Sequence, residues 1–179
     1  CIQRVNKIIS AIKNFSHPSQ KEKQFYDINN GIELTVTLSK NVWKYCSEMK
    51  LDLDPDLPQV YCSIDEINQV LLNLIINSSH AIEEKQKSLP NFIGEIKIST
   101  NVQKNNCLIR ISDNGTGIAE EHLNKIFDPF FTTKEVGKGT GQGLTISHDI
   151  IVNKHNGKIF VTSEVGEGTT FEILLPLNN

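Results

Sequence analysis

The feature that most constrains the fold is a long amphipathic segment near the middle of the chain. Between residues 64 and 87, apolar side chains recur at helical spacing, and polar side chains follow the opposite face at about 100° per residue. The segment Ser63–Glu66 has the form of a capping box, in which a serine caps the helix and a glutamate three residues later accepts from the serine N–H. We therefore predict a helix over 64–87 whose apolar face needs a second layer to cover it.

Two asparagines, Asn73 and Asn77, lie one turn apart in the middle of the polar face of this helix. Asparagine is a poor helix former, so a merely solvated face would favour Glu, Lys and Gln. Side-chain oxygens of this kind can instead hold a ligand or a hydrated cation such as Mg²⁺. A solvated face and a site are both open on this evidence. The other polar members of the face are Glu66, Gln69, His80 and Glu84.

The rest of the chain predicts an α+β domain preceded by a separate helix. An amphipathic helix over residues 1–16 ends before Pro18, and a polar linker over 19–26 follows. The main domain, 27–179, is predicted to contain a helix from Asp27 to about Tyr45, strands at 49–53 and 60–62, the central helix, a hairpin of 93–102 and 107–112, helices at 120–126 and 144–154, and strands at 158–163 and 169–175. Elements in this order give a sheet with helices packed against it.

A loop with the sequence Asp-Asn-Gly-Thr-Gly, residues 113–117, directly follows a predicted strand. Its glycines would let the backbone approach a flat ligand closely. The carboxylate of Asp113, at the end of the strand, could accept a hydrogen bond from an exocyclic amine. An ordinary β-turn is the alternative, since this sequence is common in turns.

A second glycine-rich segment, residues 137–144, leads into a predicted helix. Glycines at alternate positions free backbone amides to surround phosphate oxygens, and the helix start adds its dipole. Lys134 and Lys138 lie nearby and favour phosphate over a merely flexible linker. The aromatic segment 127–134 before it would anchor a mobile lid or form a small hydrophobic cluster.

Composition and cysteine placement argue against several classes of protein. With 18 basic and 21 acidic residues the net charge is −3, which argues against a broad nucleic-acid surface. No apolar run approaches the roughly 18 residues of a membrane span, so we expect no membrane contact. The four cysteines are scattered without a CxxC pair, so we expect buried, reduced thiols in a cytoplasmic protein. Because the chain begins with Cys1 rather than Met, we expect it to be a piece of a longer protein.

Five of these segments together resemble the ATP-binding catalytic domain of sensor histidine kinases, in the GHKL superfamily shared with gyrase, Hsp90 and the mismatch-repair ATPases. They are Asn73–Asn77 (N box), Asp113–Gly117 (first glycine box), Phe127–Lys134 (F box), Gly139–Leu144 (second glycine box) and Gly166–Thr169 (last glycine turn). Each motif is weak alone, but five in this order are specific and span about residues 25–176. The resemblance implies a Bergerat fold, a two-layer α/β sandwich in which three helices cover one face of a mixed sheet.

The resemblance also implies a pocket for ATP and Mg²⁺ between the helices and a lid. Asn77 would coordinate Mg²⁺ at the phosphates, with Asn73 and Lys134 as catalytic residues. Asp113 would accept the adenine amine, with Thr169 supporting it through water. Further contacts are expected from Gly115, Gly117 and Ile118 at the ring, and from His80, Thr133, Lys138, Gly139, Thr140, Gly141, Gln142, Gly143 and Leu144 around the phosphates.

This sequence departs from the family pattern at two places. Gln142 stands where leucine is usual between the glycines, and two outcomes are open: the pocket tolerates the change, or the packing of the lid is altered. Ser78, Ser79 and His80 replace a stretch that is commonly rich in alanine. We expect this second departure to make the phosphate end of the pocket more polar.

The function that the resemblance implies is transfer of the γ-phosphoryl group of ATP to a histidine. Residues 1–18 would be the tail of the second helix of a dimerisation domain, whose first helix carries the acceptor histidine and is missing here. The expected partners are that phosphoacceptor helix within the dimer and a response regulator receiver domain.

Three other functions stay open. An ATPase clamp of the gyrase and Hsp90 branch carries a glutamate one turn before the Mg²⁺-binding asparagine, and Asn73 stands there instead, which cannot accept a proton. The other two are a serine kinase of the anti-sigma type and a nucleotide-binding regulatory module that has lost catalysis.

Overall fold

The computed structural model describes residues 22–132 and 141–177, and the structural statements below concern these ranges. Its helices are Ile28–Leu38 (α1), Lys40–Trp43 (α2), Ile64–Ser88 (α3), Glu120–Leu123 (α4) and Gly143–His148 (α5), followed by a π-helix at Asp149–Lys154. Its strands are Gln24–Tyr26 (β1), Ser47–Asp52 (β2), Val60–Cys62 (β3), Gly94–Gln103 (β4), Asn106–Asp113 (β5), Lys158–Glu164 (β6) and Gly168–Pro176 (β7). The helix predicted for residues 1–16 and the expected roles of Thr133, Lys134, Lys138, Gly139 and Thr140 lie outside the described residues.

The fold is built on a five-stranded mixed sheet in the order β2-β4-β5-β7-β6. Strand β2 pairs with β4 in parallel, and the other three pairings are antiparallel. Helix α3 packs against β4 and β5 and is flanked by α1 on one side and α5 on the other. This arrangement confirms the predicted α+β class and mixed sheet with helices against it.

The core lies between α3 and the sheet. Along β4 the buried residues alternate with more accessible ones, so that Ile96 and Ile98 face the helices while Lys97 is exposed. The apolar face predicted for the central helix is buried against this layer, and its fully buried members include Ile67, Leu71, Leu74, Ile75 and Ile82. Within residues 22–132 and 141–177, none of the helices has the length and apolar content that crossing a bilayer requires.

Two predicted segments differ from the structure near the start of the described residues. The helix predicted from Asp27 to Tyr45 is divided, because the buried Ser39 hydroxyl donates to the carbonyl oxygens of Thr35 and Val36 and competes with helix continuation. Residues 24–26, predicted as part of a linker, form β1 and pair with β3 in a separate two-stranded sheet. The domain boundary at residue 27 stays a prediction.

The three described cysteines, Cys46, Cys62 and Cys107, are buried free thiols. Burial raises the pKa of Cys62 and of Cys107 to about 12. Both thiols therefore stay protonated and behave as small apolar core residues.

The start of α3 does not use the predicted capping box. The Ser63 hydroxyl makes no capping bond and is buried without a partner in the described part of the chain. The Ser63 N–H donates instead to Nε2 of His155, at 3.0 Å. Glu66 pairs with Lys154 at 2.6 Å rather than turning back to the helix start. Residues at the end of the π-helix thus take the place of the local cap.

His155 is a buried histidine held between two backbone groups. Its Nε2 accepts from the Ser63 N–H, and its Nδ1 lies 2.8 Å from the carbonyl oxygen of Ile150. This pairing fixes a neutral ring that carries its proton on Nδ1. Burial is the main reason that the pKa of His155 is lowered, although the bond to Ile150 opposes the shift.

We expect the free energy of unfolding to decrease as the pH falls below about 6.5, the usual pKa of histidine in an unfolded chain. In that range the unfolded state binds the His155 proton more readily than the native state does. The contribution of His155 to the free energy of unfolding therefore rises with pH, by up to about 1.4 kcal/mol per pH unit. Urea unfolding between about pH 5 and 7.5 measures it. A His155→Gln variant, which keeps an acceptor for Ser63, should show a shallower slope, and an unchanged slope would contradict this assignment.

Candidate functional site

The polar face of α3 reaches the start of α5 through Asn73. Its Nδ2 donates to the carbonyl oxygen of Gly143 at 3.2 Å and lies 3.4 Å from the Ser147 hydroxyl. The Asn73 amide oxygen takes no part in these two bonds. Asn77 follows one turn later on the same face and is half-buried. The structure thus places Asn73 of the predicted N box beside the first residue of α5, and Asn77 lies one helical turn further along α3.

Helix α3 also reaches the end of β5, through Ser78, which directly follows Asn77. The Ser78 hydroxyl donates to Oδ2 of Asp113 at 2.9 Å, and the N–H of Gly115 donates to Oδ1 at 2.9 Å. Thr169, which lies opposite Asp113 in the β5–β7 register, adds a backbone hydrogen bond to the carboxylate. Because Ser78 directly follows Asn77, the predicted cation ligand and the predicted base ligand lie on neighbouring elements.

Asp113 is a carboxylate surrounded by hydrogen-bond donors. Burial raises its pKa, while the bonds from Gly115, Ser78 and Thr169 and the charge of Lys85 act in the opposite direction. An ionised carboxylate offers about four lone-pair positions, and the hydrogen bonds from Ser78 and Gly115 occupy one on each oxygen. The group is therefore suited to accept one further hydrogen bond from a ligand that brings an N–H.

Glycines at this site allow backbone segments of the chain to pack closely. Gly117 has φ +71°, and a Cβ there would lie 2.0 Å from the carbonyl oxygen of Glu164. Gly168 has φ +135°, and a Cβ there would lie 1.9 Å from the carbonyl oxygen of Asp113. Gly115 packs against α3 in the same close manner. The chain's own packing accounts for these glycines, and their role toward a ligand ring stays a prediction.

Lys85 joins the two turns beside Asp113. Its Nζ donates to the carbonyl oxygens of Asn114 and Gly166, both at 2.7 Å, and lies 4.3 Å from the centre of the Phe92 ring. The sequence reasoning missed this residue. The feature of the sequence that could have identified Lys85 is its position seven residues after Ser78, which places both on the same face of α3.

Thr169 and Ile118 are connected through Ser163. The Ser163 hydroxyl accepts from the N–H of Ile118 at 2.8 Å and lies 2.9 Å from Oγ1 of Thr169. Thr169 lies opposite Asp113 in the β5–β7 register, and its expected support of Asp113 through water stays a prediction. Ile118 is half-buried and packs against the core.

The described part of the second glycine box begins α5 and contacts the F box. Gly141 has φ +62°, and its carbonyl oxygen accepts from the N–H of Phe130 at 3.1 Å. Gln142 stands at the N-cap position of α5, Gly143 is its first residue, and Leu144 packs against the core. Gly143 contacts Asn73 of α3, and the role of these residues toward phosphate stays a prediction.

The aromatic residues of the F box divide into two groups. Phe127 and Phe131 pack against the hydrophobic core, whereas Phe130 is 72% exposed. The hydrophobic-cluster interpretation therefore fits Phe127 and Phe131, and the lid interpretation stays a prediction.

The serines after Asn77 do not lie where the sequence analysis expected. Ser78 contacts Asp113, at the predicted base end of the site, and not the start of α5. Ser79 is fully buried and donates to the carbonyl oxygen of Ile75 within α3. The reason is helical geometry, because each residue turns about 100° from the one before it and both serines leave the face of Asn77. His80 is half-buried.

Comparison with known proteins finds one family profile, described as histidine kinase-, DNA gyrase B-, and HSP90-like ATPase, which matches residues 62–179. The signal transduction histidine-protein kinase AtoS of Escherichia coli K12 is 37% identical, over 99% of this chain and 28% of its own length. The sensor histidine kinase ZraS of the same strain is 33% identical, over 98% of this chain and 36% of its own length. The chain thus spans about a third of the length of these curated relatives.

Solved structures give the same picture. The nucleotide-free catalytic domain of histidine kinase ThkA has a TM-score of 0.72 and 31% identity, and the match covers 87% of this chain and 96% of that domain. ThkA in complex with the response regulator protein TrrA has a TM-score of 0.70 and 26% identity, over 99% of this chain and 48% of that one. The similarity therefore extends over the sheet and the helices that form the site.

Proposed function

Because this chain belongs to the histidine kinase-, DNA gyrase B- and HSP90-like ATPase family, as an ATP-binding domain of the sensor histidine kinase type, we propose that it binds Mg·ATP and delivers the γ-phosphoryl group to a histidine. The observation that supports the proposal is that α3 contacts both the start of α5, through Asn73, and Asp113, through Ser78, which directly follows Asn77. In the proposed site, Asp113 is the base end and the start of α5 is the phosphate end.

The base end of the proposed site is Asp113. Its carboxylate accepts from Ser78 on one oxygen and from Gly115 on the other, which leaves lone pairs that can accept from the exocyclic amine of adenine. Lys85 holds the two turns beside it in place through the carbonyl oxygens of Asn114 and Gly166. This arrangement supports recognition of adenine by a fixed acceptor.

The phosphate end of the proposed site has an oxygen ligand for Mg²⁺ in Asn77. Residues 22–132 and 141–177 contain no group of three or more His, Cys, Asp or Glu that could hold a metal ion. An ion here would depend on phosphate oxygens and water for its other ligands, which is how Mg²⁺ commonly binds with nucleotides. When bound, Mg²⁺ would supply neutralisation of phosphate charge.

Phosphoryl transfer requires alignment more than covalent help from the protein. In the proposed reaction, the bond between the γ-phosphorus and the β–γ bridging oxygen breaks, a bond to an imidazole nitrogen forms, and ADP leaves. The side chain of Asn73 holds the start of α5, so that the phosphate end keeps its position relative to Asp113. We propose that the phosphoacceptor helix of a dimer supplies the imidazole and that a response regulator receives the phosphoryl group. The predicted cytoplasmic location stays a prediction.

An ATPase clamp is the second candidate, and Asn73 disfavours it. An amide does not accept a proton as a carboxylate does, and the Asn73 amide nitrogen is already bonded to Gly143. A steady-state ATPase assay on the chain separates the two functions, since rapid turnover without an acceptor would favour the clamp.

The metal role is tested by replacing Asn77 with alanine. We expect Mg²⁺ to raise the affinity of the wild-type chain for ATP by about 10-fold. The corresponding free energy is similar to that of a hydrogen bond to a charged group. Asn77→Ala should lose this increase and keep the affinity measured without Mg²⁺. Calorimetry with and without MgCl₂ measures both values. Gln69→Ala, on the same face about two turns earlier, is the control, and an unchanged Mg²⁺ effect in Asn77→Ala would overturn the assignment.

The transfer itself is tested by mixing the chain with a phosphoacceptor-helix fragment and ATP labelled in the γ position. The proposal expects label on a histidine of the fragment, released by acid. Absence of label from a fragment that a related catalytic domain does phosphorylate would contradict the proposal.

A further inference from the structure

Ser78 is buried at the contact between α3 and Asp113. The residue is 2% exposed, and its hydroxyl lies 2.9 Å from Oδ2 of Asp113. The sequence analysis expected this serine at the phosphate end, and no role was assigned to it at the base end. Its position raises the question of what a hydroxyl contributes there.

Ser78 is the side-chain donor in a set otherwise made of backbone groups. The N–H of Gly115 bonds to Oδ1 of Asp113, and Thr169 contributes a backbone hydrogen bond. Backbone donors are present whatever the sequence, but the donor to Oδ2 depends on residue 78. The sequence therefore controls the orientation of the carboxylate at this one contact.

We propose that Ser78 is a positioning residue that makes the site selective for a purine carrying an exocyclic amine over a 6-oxo purine. The inference rests on the proposed function, in which Asp113 accepts from the base. Ser78 and Gly115 each hold one oxygen of the carboxylate, which directs the remaining acceptor position toward the ligand. An adenine amine gains a hydrogen bond there, whereas the oxygen of a 6-oxo purine meets another acceptor.

This role differs from a merely structural one in what it predicts for two ligands. A base that does not bond to Asp113 gains nothing from the orientation of its carboxylate. Loss of the Ser78 hydroxyl should thus weaken binding of adenine nucleotides and leave 6-oxo purine nucleotides nearly unaffected. A general loosening of α3 would weaken both ligands equally.

The neighbouring Ser79 provides a matched control. It is also fully buried on α3, but its hydroxyl donates to the carbonyl oxygen of Ile75 within the helix. Replacing either serine with alanine removes the same atom from adjacent positions. The difference between the two variants isolates the contact with Asp113.

The test is titration calorimetry of the 179-residue chain with ADP and with inosine diphosphate, each with Mg²⁺. Ser78→Ala should bind ADP about 10-fold more weakly, as expected for a lost hydrogen bond to a charged group, and should bind inosine diphosphate within about 2-fold of wild type. Ser79→Ala should keep the wild-type ratio of the affinity for ADP to the affinity for inosine diphosphate. Ser78→Cys keeps the shape of the side chain but offers only a weak donor, so it should also lower the ratio of ADP affinity to inosine diphosphate affinity. This variant replaces Ser78→Ala in the test if Ser78→Ala does not fold.

The outcomes separate the inference from the function on which it rests. An equal loss for both ligands in Ser78→Ala, or an unchanged ratio, would overturn the role of Ser78 while adenine binding stands. If the wild-type chain binds neither diphosphate, or if Asp113→Asn binds ADP as wild type does, base recognition by Asp113 fails and the inference fails with it.

Discussion

Replacement of Asp113 by asparagine should lower the affinity for ADP by about 100-fold, or roughly 3 kcal/mol. The variant removes the charge and turns one acceptor oxygen into an NH₂ group. That NH₂ would face donors already aimed at the carboxylate by Ser78, Gly115 or Thr169. The amine of adenine loses its partner at the same time, so the expected loss exceeds that of one ordinary hydrogen bond.

Calorimetry with ADP and Mg²⁺ measures the effect of Asp113→Asn, and a urea titration checks that the variant is folded. Asp52→Asn is the control, because Asp52 also ends a strand but is 71% exposed and pairs with Lys97 at the surface. The control should bind as wild type does. A folded Asp113→Asn protein with affinity within about threefold of wild type would show that the base is recognised elsewhere.

Replacement of Gly168 by alanine should lower the free energy of unfolding by about 4 kcal/mol. Two costs add at this position: φ is +135°, where L residues are strained, and the new Cβ would lie 1.9 Å from the carbonyl oxygen of Asp113. The contacted atom belongs to the backbone of the last residue of β5, the central strand of the sheet, and it cannot move aside as a flexible side chain can. Urea unfolding monitored by circular dichroism gives the value.

Gly166 lies in the β6–β7 turn that leads to Gly168. Its replacement separates the cost of the backbone conformation from the cost of the close contact. Its φ is +88°, but a Cβ there would meet nothing within 4 Å. Gly166→Ala should therefore cost only about 1 kcal/mol, from the backbone conformation alone. Equal losses in the two variants would mean that the close contact at Gly168 relaxes freely, which would contradict the predicted difference.

The elements that the sequence predicted well are those with strong local signals. Helix α3 carries its apolar pattern over 25 residues, and the β4–β5 hairpin is joined by a short polar turn. The three-residue strand β1 was missed because its partner β3 lies more than thirty residues later. The capping box failed for the same reason, since His155, 92 residues away, bonds to the Ser63 N–H. Local patterns do not reveal such distant partners.

The residues of the candidate site also fall into two groups, those that the sequence predicted and those that it did not. Asn73 and Asn77 stand out in the sequence because asparagine is a poor helix former, and Asp113 was found because a glycine-rich loop follows a predicted strand there. Ser78 and Lys85 do not, because their roles depend on partners 35 and 29 residues away. The glycines were found, but their tight contacts with Glu164 and Asp113 are visible only in the folded chain.

The position of β7 has a consequence for synthesis of the protein. This strand, Gly168–Pro176, lies between β5 and β6 although it follows both in the chain. During synthesis on the ribosome, the edges of β5 and β6 that pair with β7 stay unpaired until residue 176 has emerged. A nascent chain stalled before residue 168 would expose the free edge of β5, a surface prone to pairing with other chains. The five-stranded sheet is thus completed only after the last of its strands in chain order has been synthesised.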